Sequence, residues 1–344
     1  MDTKSGRKKS ERHPRDTAAP RSGSAFKLSK YMALMIAEAL VPVFFVMFLG
    51  YFAGARRIID NQHVASLNVV LMTFALPVAL FVGVAQTSLC GLEENGKLVF
   101  VLVVSMLVIF GITFALNHYV FRLSPGENAV QSLSVGFPNF AAVGLPLLGS
   151  VMGPGSAASV AASIAAGTVF ISPLTLTVLE AQGKAAGSSA HPIATALFRS
   201  VCKPVVIAPV AGLVVALLGI HLDEVVSHAL NLIGAAAAGL ACFVTGLVLS
   251  AQPLRLNANV GVGVLLKNIV LPLIAYAITL TLGMSGEIAR EAILLAAIPS
   301  GFFGMLFGLN YGVRSQAVGS TLTLSYLVGI ITLTAAILLT SQMK

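Results

Sequence analysis

The chain is 344 residues long, 57% apolar and only 10% charged, with a mean hydropathy of +0.92. A soluble domain carries about 25% charged residues to meet water, so this composition excludes a water-soluble fold. It predicts an all-α polytopic membrane protein in the lipid bilayer. The net charge of +8 carries no nucleic-acid signal: nine of the 21 Lys and Arg residues lie in the first thirty positions, and residues 31–344 hold twelve basic against ten acidic side chains.

Residues 1–30 are polar, basic and rich in Ser, Pro and Gly, and read as a disordered tail. The apolar run from Tyr31 ends at Ala53-Gly54-Ala55, which mimics a signal-peptidase site. The run is about twenty residues long, too long for a signal core, and Arg56-Arg57 follow at once. It reads as a first span. A crossing of about 30 Å needs roughly twenty apolar residues, which gives ten spans: 32–54, 65–88, 97–121, 129–151, 156–179, 200–220, 227–251, 259–283, 289–311 and 316–341. The expected organisation is the tail followed by one ten-helix membrane domain over 31–344.

Positive charge in short loops sets orientation. The odd-numbered connections and adjoining helix ends hold Arg56, Arg57, Arg122, Lys184, Arg199, Lys203, Arg255, Lys267 and Arg314. The even ones hold Lys97 and Arg290 against Glu93, Glu94, Asp223, Glu224, Glu287 and Glu291. Odd loops are therefore expected in the cytoplasm and both termini outside it, in a multi-pass protein of the inner (plasma) membrane. The basic tail argues the other way, and the two are reconciled if the natural chain starts at Met32 or Met35.

The ten spans divide as five plus five, repeat one over 32–179 and repeat two over 200–341. An offset of 161 places Pro138 on Pro299, Leu145 on Leu306 and Ser159 on Ser320. An offset of 163 places Asn68 on Asn231, Leu67 on Leu230 and Gly83 on Gly246. An odd number of spans per unit inverts the second repeat relative to the first. Proline removes a donor and clashes with the preceding turn, so Pro138 and Pro299 break helices 4 and 9 at matched places. Broken helices are tolerated in lipid where they line a cavity or pack on protein. Two inverted repeats with broken, crossing helices are the pattern of a secondary transporter. Half-helix N-termini meeting at the midplane suit an anion; a pair of packing kinks is the plainer reading, and the matched positions favour the site.

The stretch Pro138-Asn139-Phe140-Ala141-Ala142-Val143-Gly144-Leu145-Pro146-Leu147-Leu148 resembles the fourth-span motif of the auxin efflux carrier family, whose bacterial members include malonate and malate permeases. Ala296-Ala297-Ile298-Pro299-Ser300-Gly301 with Tyr311-Gly312-Val313 is similar to that family's ninth-span signature. Leu67-Asn68 with Ala75-Leu76-Pro77 resembles its second span. The resemblance implies a scaffold domain of spans one, two, six and seven, a transport domain of the other six, elevator-like movement and a homodimer through the scaffold. It also implies that Asn139 helps hold a substrate carboxylate. Ser300 stands where plant carriers have a glutamine, and the long central loop of those proteins is here a short connector, 180–199. The candidate substrate-binding residues are Pro138, Asn139, Gly144, Pro299, Ser300 and Gly301.

Other features read as structural. Glu38 and Lys267 are expected to snorkel to the interface. Asn68, Asn231 and Asn268 are expected to cap helices or bond between them, and the stripes Gly50/Gly54 and Gly304/Gly308/Gly312 to let helices pack. The hydroxyl-rich fifth span, Ser156 to Thr177, should face protein. Cys90, Cys202 and Cys242 have no metal spacing, and the latter two read as small buried hydrophobes. His118, His191, His221 and His228 show no ligand pattern. No HExxH, GxSxG or P-loop motif occurs, so no enzyme and no cofactor are expected. The expected function is secondary transport of a small organic anion, a carboxylate or dicarboxylate such as malonate or malate. The alternative is a sodium- or proton-coupled symporter or antiporter of related fold, disfavoured because the crossing offers Asn139 and Ser300 where cation exchange wants an acid.

Overall fold

The computed structural model describes residues 22–59, 61–86, 92–153, 156–182, 192–220, 222–251, 254–341 and 343. Residues 1–21 of the expected tail, with Cys90, Lys184, His191 and His221, lie outside the described residues. All regular structure within them is helical. Helix α1 (Ser22–Ala55) begins inside the stretch expected to be disordered. The polar-to-apolar step near residue 31 is thus a change of composition along one helix, not its start.

Three long rods and one shorter helix contain a five-residue turn of the wide π type. Leu71–Ala75 joins α2 (Asn61–Val70) to α3 (Leu76–Ala85). After α4 (Leu92–Tyr119) and α5 (Pro125–Gly136), Phe140–Gly144 leads into α6 (Leu145–Val151), and Gly167–Ile171 joins α7 (Ala157–Ala166) to α8 (Ser172–Ala181). In each case a proline occupies the second position after the turn: Pro77, Pro146, Pro173 and, after Leu266–Val270, Pro272. The proline ring collides with the carbonyl four residues back, and one extra residue in the turn relieves the collision. The residue before the proline then donates five residues back, as Leu76 does to Leu71 O and Ser172 to Gly167 O.

Helix α9 (Pro192–Val201) precedes α10 (Pro204–Leu217); α11 (Glu224–Gly234) runs into α12 (Ala236–Ser250); and α13 (Ala258–Leu265) reaches α14 (Leu271–Thr281) through the fourth wide turn. Then come α15 (Gly286–Ala297), α16 (Phe303–Asn310) and α17 (Gln316–Thr340). Among the described residues six rods are long and apolar enough to cross a bilayer: Val64–Ala85, Gly96–Tyr119, Ala157–Ala181, Glu224–Ser250, Ala258–Thr281 and Gln316–Thr340.

The other four expected spans differ for identifiable reasons. The fourth and ninth are interrupted at 137–139 and 298–302. The first lies within the 34-residue helix α1, whose apolar part includes Leu40–Ala55. The sixth meets α9 at a 56° elbow. Helix α9 is a correction to the simple connector expected over 180–199: its apolar residues fall on one face, a pattern too short to read as a span.

Helices α1, α3, α10, α11 and α12 pack mainly on one another, and α4, α5 and α8 with α13 to α17 form a second group. Close approach inside the first group depends on glycine. A Cβ on Gly50 would lie 2.1 Å from the Phe243 carbonyl oxygen, and one on Gly212 would lie 2.5 Å from that of Phe81. Gly50 and Gly212 are 162 residues apart, as are Phe81 and Phe243, so the α1–α12 contact is repeated by α10 on α3. Gly54 and Gly304 are tight contacts as expected, against Ser250 and Val130. Gly312 is a correction: it has open space around it and a φ of +72°, the left-handed conformation that ends α16.

Candidate substrate site at the helix crossing

The two breaks meet. Pro138 and Ser300 form an antiparallel bridge, with Asn139 N donating to Pro299 O at 3.0 Å and Gly301 N to Phe137 O at 2.9 Å. This two-stranded contact satisfies backbone groups that the interrupted helices leave open, which burial requires. It also fixes the register between the halves. Phe137 answers to Pro299, Pro138 to Ser300 and Asn139 to Gly301, an offset of 162 rather than the 161 and 163 read from matching letters. Gly144 belongs to the same place, since a Cβ there would lie 3.5 Å from Ile298 Cδ1. The structure thus brings all six candidate residues together, and all six are buried.

Asn139 ends the first break as the cap of the half-helix Phe140–Val151. Its Oδ1 accepts from Ala142 N at 3.3 Å, and its Nδ2 donates to the Tyr326 hydroxyl. Ser300 donates through Oγ to Ser134 O, and its N–H donates to Ser325 Oγ at 2.9 Å. Consecutive residues of α17, Ser325 and Tyr326, therefore hold one break each. Ser325 Oγ in turn donates to Asn268 Oδ1 at 2.6 Å, while Asn268 Nδ2 donates to Ser325 O at 2.8 Å. Asn68 Nδ2 ties the second span to Leu306 O of α16 at 3.0 Å. Asn68 and Asn268 bond between helices as expected, while Asn231 is exposed.

A cavity of about 640 Å³ opens beside the crossing, walled by α3, α7, the start of α12 and the first turns of both half-helices at Ala141, Leu145, Phe302 and Phe303. Among the described residues Gln86 is its one polar side chain. The first turns of both half-helices thus reach the wall of an otherwise mainly apolar space.

A family model described as membrane transport protein matches residues 35–337. The chain belongs to this family, to which the auxin efflux carriers also belong. It is similar to "Uncharacterized transporter YfdV" of Escherichia coli (strain K12), 26% identical over 295 residues that cover 85% of this chain and 94% of the relative. It is also similar to "Putative malonate transporter" of Rhizobium meliloti (strain 1021), 27% identical over 315 residues, 88% of this chain and 95% of the relative. The protein is a multi-pass membrane transporter.

In this transporter several residues at the crossing carry no sequence signal of their own. Ser325, Tyr326 and Ser134 lie in ordinary span contexts and become neighbours of the breaks only by packing. Lys267 is a correction to the snorkelling expected of it: the side chain is fully buried and Nζ donates to Ala296 O at 2.9 Å. It therefore leaves the set of loop charges used for orientation. Glu38 is exposed. The fifth-span hydroxyls Ser159, Ser163, Thr168, Ser172 and Thr175 are buried, facing protein. Cys242 is buried as expected, whereas Cys202, at the α9–α10 elbow, is exposed. Beside it Lys203 Nζ lies 2.7 Å from Glu180 Oε1, which also accepts from the Tyr311 hydroxyl at 2.5 Å.

Proposed function

We propose that this transporter is a secondary carrier that moves a small organic anion, a carboxylate or dicarboxylate such as malonate or malate, across the inner membrane. The reading rests on one observation above others: two broken helices joined back to back, with the N-terminal ends of both half-helices on one apolar cavity. Such ends offer N–H groups and partial positive charge, which favour a carboxylate over a cation. The broken segments, Phe137–Asn139 and Ile298–Phe302, contribute no acidic side chain, which weighs against sodium- or proton-exchange chemistry there. The name of the Rhizobium meliloti relative points the same way.

We further propose a ten-span body of two inverted five-helix repeats working by elevator-type alternating access, with both termini outside the cytoplasm. The reciprocal glycine contacts at one offset support the repeat. The two packing groups supply a scaffold and a moving unit. The substrate sits at the cavity mouth of the crossing built by Pro138, Asn139, Gly144, Pro299, Ser300 and Gly301, which lie buried behind the lining residues, and the Asn139 amide reaches it once released from Tyr326. The deciding experiment is uptake of labelled malonate, malate, oxalate and indole-acetate into proteoliposomes, with and without a pH gradient. Saturable uptake of one carboxylate supports the carrier reading. A response to sodium or proton gradients alone, with no anion flux, overturns it.

A further inference from the structure

Lys267 is fully buried in the wide turn Leu266–Val270, and among the described residues no carboxylate lies within ion-pair distance of it. An unpaired buried cation is costly, so its place in the fold calls for a reason. Several carbonyls at the two breaks accept from neutral donors: Ser134 O from Ser300 Oγ, Phe137 O from Gly301 N and Pro299 O from Asn139 N. Ala296 O, at the negative end of α15, accepts instead from the Lys267 amine. The next residue, Asn268, holds the far side of the same break through Ser325 and Ser300 N. Lys267 and Asn268 thus bracket the second break, and α16, which begins just beyond it, lines the cavity through Phe303.

We propose that Lys267 is a positioning residue that makes the crossing selective for anions: its buried positive charge acts through the second break on the carboxylate bound at the cavity. This deepens the anion-carrier reading and rests on it. The physical requirement is range. A unit charge inside a protein acts over several ångströms with little screening, enough for about a tenfold effect on a bound anion's affinity. A neutral ligand of the same shape feels almost none of it.

The test compares malonate with its uncharged diamide, by ligand-induced thermal stabilisation of the purified full-length protein and by competition with uptake of the labelled carboxylate that wild type carries. The variants are Lys267→Arg, Lys267→Gln and Lys267→Met. The expected result is that both neutral variants lose about tenfold or more in malonate affinity relative to the diamide, while Lys267→Arg keeps the wild-type ratio. An unchanged ratio in the neutral variants overturns the proposal, as does an equal loss for both ligands, which marks a merely structural role. Two neutral variants are used so that a folding failure of Lys267→Met leaves Lys267→Gln, whose amide still donates a hydrogen bond. A wild type that neither binds nor moves malonate, malate, oxalate or indole-acetate overturns the carrier reading itself, and this inference with it.

Discussion

Asn139 and Gly301 hold the same position in the two breaks: each donates its backbone N–H to a carbonyl of the opposite break, at 3.0 and 2.9 Å. Their side chains set them apart. Asn139 places an amide between Ala142 N and the Tyr326 hydroxyl. Gly301 places nothing, because a Cβ there would lie 2.4 Å from the Phe137 carbonyl oxygen. The crossing is symmetric in its backbone and one-sided in its side chains.

Gly301→Ala is therefore expected to force the bridge apart, since backbone cannot yield as a side chain can. Overpacking of this kind destabilises by about 1–3 kcal/mol. Thermal unfolding in detergent measures it, with Gly239→Ala as the control: Gly239 lies in a helix with open space, where alanine is expected to be neutral or stabilising by up to about 1 kcal/mol.

Asn139→Ala removes a helix cap and the partner of a buried hydroxyl together. Each loss costs about 1 kcal/mol, so the midpoint should fall by several degrees while the protein still folds. On the carrier reading, saturable carboxylate uptake should fall at least about tenfold, the loss of one hydrogen bond to a charged group. Tyr326→Phe separates the effects, because it frees the Asn139 amide and retains the cap. Uptake by Asn139→Ala with unchanged affinity would remove Asn139 from the site.

Gly50→Ala and Gly212→Ala probe the two copies of one contact. Both added methyl groups would meet a carbonyl oxygen, of Phe243 and Phe81. Both variants should be less stable than wild type, by about 1–3 kcal/mol each. If one is destabilised and the other is not, the reciprocal packing is not a shared feature of the halves.

The elbow between α9 and α10 should loosen when Glu180 is neutralised. Lys203 and Glu180 are partly exposed, so their pair is worth up to about 1 kcal/mol. Glu180→Gln is expected to raise the maleimide labelling rate of the exposed Cys202 by up to about fivefold, the equivalent of that energy. An unchanged rate would show that the cluster does not restrain the elbow.

Orientation is open to direct labelling. Ile58 is exposed just after Arg56 and Arg57. Ile58→Cys should react with a membrane-impermeant maleimide only after the cytoplasmic side is opened. Labelling of intact cells would reverse the proposed topology.

The sequence by itself determined what its solvent dictates. An apolar composition and twenty-residue runs exclude a soluble fold, and the matched placing of Pro138 and Pro299 in the two halves marked the breaks, whereas prolines such as Pro42 and Pro209 sit inside continuous helices. The Pro138–Leu148 motif pointed to the family. What only the tertiary structure decided is what depends on distance between remote segments. Matching letters placed Pro138 on Pro299, but hydrogen bonding pairs Pro138 with Ser300, since a bridge aligns N–H groups with carbonyls and ignores side-chain identity. Lys267 has the sequence context of a snorkelling lysine, and only the packing of α15 against its wide turn buries it on Ala296 O. Tyr326 and Ser325 look like ordinary span residues until α17 lies across both breaks. Hydropathy records a residue's preference for lipid or water, whereas a site in a membrane protein is fixed by which helices touch.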